Sequence, residues 1–216
     1  SVAALNCSDT ECWPGHGRST QCFCTIAQDG ICRDGGQLLK ARDCARHEGY
    51  RTAPNWYTEP RDFVTLPSQE FFADMQQLLD RAGGRMAVEQ ILGDLTECGV
   101  EHLQAEEGDS QLRGRHVHTC LHMPDPILAK WLHLHTFTTE VSFSAPDAPQ
   151  LAARDEANRY FRWILRQPEH WYCHSFVYSP SVLSTSGLRA QAAHDILGAA
   201  IGVKRTPPTV HTALVD

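Results

Sequence analysis

Residues 114–123, GRHVHTCLHM, place His116, His118, Cys120 and His122 at every second position. Successive side chains of a strand point to opposite faces, so these four share one side while Val117, Thr119, Leu121 and Met123 share the other. Imidazole is a good ligand for zinc and copper, and thiolate for zinc. A second pair, His133 and His135, is also two residues apart, and His174 follows Cys173 in a third extended stretch. If these stretches are neighbours in one sheet, facing side chains stand about 5 Å apart and imidazoles from different strands meet one cation. Three protein ligands and one open position make such a metal catalytic.

The expected chemistry is therefore metal-dependent hydrolysis, with Zn2+ as the ion. His116, His118 and His135 are the first-choice ligands, and His122, His133 and His174 are alternates. Asp125 and Glu140 are the carboxylates available to orient a ligand or to act in catalysis. No HExxH spacing is present. His133 and His135 also share their alternation with Phe137, Val141 and Phe143, which is a core pattern. Two other readings fit the same residues. One has strand histidines hydrogen-bonded in the interior; the other has a metal-free acid–base pair assisted by Arg113 or Arg115.

A thiol nucleophile is the contrary hypothesis. Cys12-Trp13 resembles the nucleophile region of papain-like and viral leader peptidases, and LNCSD resembles the Asp/Asn-Cys-Ser element of cell-wall amidopeptidases. These resemblances cover a few residues each. They imply Cys12 or Cys7 as nucleophile and His116 or His174 as base. Pro14 disfavours a nucleophile-bearing helix beyond its first turn. The histidine stretches resemble the H-x-[ST] elements of two-histidine phosphoesterases, though not in register, and CFCTIAQDGIC resembles the end of an EGF-like module. A third class is a secreted binding or effector protein in which the histidines are incidental.

The elements that must position these groups are legible in part. Six of the nine cysteines (Cys7, Cys12, Cys22, Cys24, Cys32 and Cys44) fall in the first 44 residues, as in a disulfide-stapled segment. Secretion follows from that, and Asn6-Cys7-Ser8 then reads as a glycosylation acceptor. Cys98, Cys120 and Cys173 are an odd remainder, which points to a free thiol or a ligand. Residues 1–60 read as a loop-dominated cysteine-rich segment ending in the irregular connector RTAPNWYTEPRDFVTLP, and residues 61–216 as an α+β domain.

Helical spacing predicts one helix from Ser68 and a second from Met86 that stops at Gly99. Residues 101–114 read as a polar loop, 115–123 as a strand, PDPILAKW as a helical turn and 132–145 as a second strand. One long helix over DAPQLAARDEANRYFRWILRQ, a third strand at HWYCHSFVYS and a last helix at SGLRAQAAHDILGAAIG complete the order, before an extended tail. The irregular interleaving predicts an α+β fold with a mainly antiparallel sheet covered by helices. A net charge of -7 argues against a general nucleic-acid surface. No apolar run approaches the roughly 18–20 residues of a membrane span, and the opening SVAALNCSDTECW is neither an h-region nor a transit peptide.

Overall fold

A computed structural model of the chain describes residues 2, 5–7, 17–34, 37–55, 62–122, 130–154, 158–182, 186–202 and 210–211. The elements are, in order, α1 (Gly17–Asp29), β1 (Ile31–Asp34), β2 (Gln37–Lys40), β3 (Arg42–Asp43), β4 (Tyr50–Pro54), β5 (Asp62–Pro67), α2 (Met75–Arg81), α3 (Arg85–Glu107) and α4 (Asp109–Leu112). They continue with β6 (His116–His122), β7 (Leu134–Thr139), α5 (Ala148–Ala152), α6 (Arg159–Arg166), β8 (Trp171–Val177), α7 (Ser186–Ala200) and β9 (Val210–His211). The fold is α+β.

The main sheet has seven strands in the order β3-β4-β5-β7-β6-β8-β9, and β1 and β2 form a separate hairpin. Every pair is antiparallel except β8 with β9. The three histidine-bearing strands are thus neighbours, with β6 in the middle. Phe63, Val117, Leu121, Leu134, Tyr172 and Phe176 point to one face, where α2, α3 and α7 cover them. The opposite face carries Val64, Leu66, Cys120 and Phe137 under α1, α5 and α6. Both faces of the sheet are covered, so His118 lies inside the protein, while His116 and His122 at the two ends of β6 stay partly exposed.

Several expected boundaries move, for local reasons. The helix expected from Ser68 begins at Met75, because the Asp74 side chain caps Gln77 N at 2.9 Å while the Phe72 carbonyl accepts from Leu132 N. Helix α3 does not stop at Gly99 but continues to Glu107 across the expected loop. Gly99 serves packing instead: a Cβ there would run into Thr136 Oγ1, so glycine lets the helix lie close on the sheet. The long helix expected over residues 147–167 is two helices, and Asn158 starts the second by accepting from Tyr160 N and Phe161 N. The expected connector holds β4 and β5, whose Pro54 and Pro67 are each the last residue of the strand, a position that tolerates proline. The helical turn expected at PDPILAKW lies largely outside the described residues.

Four disulfides staple the fold: Cys7–Cys24, Cys22–Cys32, Cys44–Cys98 and Cys120–Cys173. The first two hold the N-terminal segment to itself. The third corrects the expected six-cysteine grouping, since Cys44 reaches out to α3. Cys98, Cys120 and Cys173 are therefore neither free thiols nor ligands. Cys12 lies outside the described residues.

Candidate metal centre

Register decides which histidines meet. On β6, Leu121 faces Leu134 of β7 and His122 faces Trp171 of β8. Continuing the β6–β7 register by one residue brings His122 opposite His133, with His135 on the diagonal. His122, His133 and His135 each offer one ring nitrogen, and these atoms lie within 4.8 Å of one another. This trio can hold a metal ion.

Its electrostatics suit that role. The His133 Nδ1 lies 2.5 Å from the Trp131 carbonyl oxygen. A carbonyl only accepts, so Nδ1 carries the proton and Nε2 keeps its lone pair. His135 turns Nδ1 toward the Asn55 amide at 3.3 Å and the buried Asp62 Oδ1 at 3.8 Å, while its Nε2 is buried without a hydrogen-bond partner. Asn55 also donates to Asp62 Oδ2 at 3.0 Å. The Asn55 amide nitrogen only donates, so Nδ1 accepts from it and the neutral ring carries its proton on Nε2; ligation through Nε2 requires that proton on Nδ1 instead, toward Asp62. Burial pushes His133 and His135 down to about 3, helped for His133 by the neighbouring His135, and it holds His122 well below the usual imidazole range. All three imidazoles are neutral at physiological pH, as metal ligation requires.

An aromatic wall encloses the trio. The Trp171 ring lies 3.8 Å from that of His122, Trp163 lies 5.0 Å from His122, Tyr160 4.1 Å from His135, and Phe23 4.6 Å from His133. His122 is the partly exposed member, so it marks the side open to solvent.

The other expected site residues lie elsewhere. His118 is fully buried on the same face, but both nitrogens are engaged, Nδ1 with Ser175 Oγ and Nε2 with Thr139 Oγ1, each at 2.7 Å. Thr139 donates its own proton to the Val141 carbonyl and so accepts from Nε2–H, leaving Nδ1 to accept from Ser175. His118 is a core histidine. His116 is half-buried at the far end of β6, and burial lowers its pKa. His174 faces the opposite side of the sheet and binds Asp195 of α7 at 2.8 Å. Glu140 is exposed just past the end of β7 away from the trio, and Asp125 lies outside the described residues. Cys7 is in a disulfide and offers no nucleophile.

Sequence reasoning passed over Asp62, Asn55 and Trp171. A signal for Asp62 existed: in DFVTLP it begins the alternate row Asp62, Val64, Leu66, which puts a charge in an otherwise apolar inward row.

A separate cleft of about 690 Å³ lies between the N-terminal segment and the β3–β4 turn, lined by Gln28, Asp29, Asp43, Glu48 and Arg51 among others. Several of its polar groups have partners: Arg51 binds Asp43 and the Ile26 and Ala27 carbonyls, and Gln28 binds the Val2 and Leu5 carbonyls. The trio lies outside this cleft.

Fold and site together define an α+β protein with a largely buried three-histidine cluster on a mainly antiparallel sheet. No protein family, curated protein or solved structure matches the chain.

Proposed function

We propose that the protein is a secreted zinc-dependent hydrolase whose ion is held by His122, His133 and His135. The observation that carries this reading is the convergence of three neutral imidazoles, one with an unpartnered buried Nε2 backed by Asp62. Imidazole suits zinc, and a three-histidine site leaves a further position at which zinc brings a bound water toward neutral pKa. Asp62 and Asn55 orient His135, the Trp131 carbonyl orients His133, and the aromatic wall restricts water around the ion. The four disulfides favour an oxidising compartment, and no helix among the described residues is long and apolar enough to cross a membrane. Exposed Asn6, in Asn6-Cys7-Ser8, is the glycosylation acceptor this compartment would use.

The test is hydrolysis of chromogenic esters, phosphoesters and peptides by the zinc-loaded protein, before and after chelation and in His135→Ala. Turnover of one class that chelation and H135A both abolish supports the reading. Stoichiometric zinc without turnover of any class would leave a metal-binding, non-enzymatic protein.

A further inference from the structure

We infer that the centre takes a small oxyanion against its cation, gripped by Trp171 and His170; this rests on the metal reading above. Three buried polar atoms lack a hydrogen-bond partner: His135 Nε2 in the trio, Trp171 Nε1, whose ring lies against that of His122, and Nδ1 of His170, the residue before it. A cation satisfies the first once the His135 proton sits on Nδ1, toward Asp62. It cannot satisfy an indole N–H, which only donates. Trp171 is 6% exposed, sits opposite His122 in the β6–β8 register and lies with its ring against that of His122. His170 is the preceding residue, and its Nε2 lies 3.8 Å from Glu169 Oε1. In the tautomer with its proton on Nδ1 it is a second donor from the same strand entry.

Charge points the same way. Imidazole ligands bring no negative charge to a divalent ion, and the carboxylates nearby are Asp62, 3.8 Å from His135 Nδ1, and Glu169, 3.8 Å from His170 Nε2. Two unpartnered donors beside a cation describe an anion subsite, and the ligand class is a carboxylate or a phosphate oxyanion. In a hydrolase these are the groups that acyl or phosphoryl substrates present.

The experiment uses the full chain with Co2+ in place of zinc, because cobalt's visible bands report its coordination. The loaded protein is titrated with acetate and, separately, with orthophosphate. One anion should change the bands with a saturable Kd, and Trp171→Phe, which keeps an aromatic ring, should raise that Kd about tenfold or more with the cobalt bands intact. His170→Gln, at a partly exposed position, should raise it in the same direction and stands in if W171F does not fold. The anion bound more tightly assigns acyl or phosphoryl chemistry. Cobalt bands that neither anion changes, or equal Kd values in the wild type and both variants, would overturn the subsite and leave the metal centre standing. Absence of cobalt bands in the wild-type protein would overturn the metal reading and the subsite with it.

Discussion

His118 and His122 stand on the same face of β6, four residues apart, and the sheet gives them different roles. His118 has Ser175 on one nitrogen and Thr139 on the other, whereas His122 meets His133 and His135 at the strand's far end. Replacing the two should therefore have separable effects. His118→Leu leaves Ser175 without its partner inside the core and should cost about 2–3 kcal/mol in urea unfolding, with metal content unchanged. His122→Ala, at a partly exposed position, should cost less stability and lose the metal. Equal metal loss in both variants would contradict this division.

Acid should unfold the metal-free protein through its buried imidazoles. His102 is lowered to about 4 and His133 and His135 to about 3, chiefly by burial, from an ordinary 6.5. With the folded pKa lowered, the unfolded chain binds the extra protons. Stability is then fully present above about pH 6.5 and is lost as pH falls from there toward 3. Each such group contributes a slope of up to about 1.4 kcal/mol per pH unit within that window. The urea midpoint should drop steadily between pH 7 and pH 4; a flat midpoint between pH 7 and pH 5 would contradict the neutral, buried assignment.

Gly99 should resist substitution although it lies inside a helix. Alanine there gains roughly 1 kcal/mol of helix propensity but drives its Cβ into Thr136 Oγ1, and a net loss of about 2 kcal/mol is expected. Thr136 Oγ1 makes no hydrogen bond, so Gly99→Ala with Thr136→Ala should recover most of that loss. Thermal unfolding of the single and double variants decides it. An unchanged single variant would mean that α3 is free to shift away from the sheet.

The Cys44–Cys98 bridge spans 54 residues and ties the N-terminal segment to α3. Replacing both cysteines by alanine should lower stability by up to about 4 kcal/mol on the chain-entropy scale. With eight cysteines paired among themselves, thiol titration of the denatured, unreduced protein should count one thiol per chain, that of Cys12. A count of three or more would contradict the pairing.

The legible features were those set by local periodicity. The alternation in GRHVHTCLHM places the imidazoles on one face without reference to the rest of the chain, and the irregular order of elements gives the α+β class. Register was not legible. Nothing local in the sequence says that His122 faces Trp171, or that β7 is positioned to bring His133 and His135 to the end of β6 that His122 occupies. The expected ligands His116 and His118 lie on the same face of β6 as His122, toward its other end. His174 was misplaced because Cys173, its neighbour, is the residue that shares that face. Gly99 read as a helix stop because glycine's packing role depends on Thr136, a residue distant in sequence. The carboxylate behind His135 came from Asp62, in a segment whose prolines obscured its two strands.

The central claim is that His122, His133 and His135 bind one metal ion together. The most direct measurement is the metal content of protein purified without an immobilised-metal column, dialysed against zinc, and compared with His135→Ala treated identically. The expected result is one zinc per wild-type chain, removable by chelator, and none retained by H135A. A wild-type chain that retains no zinc and shows no thermal shift with Zn2+ or Cu2+ would contradict it.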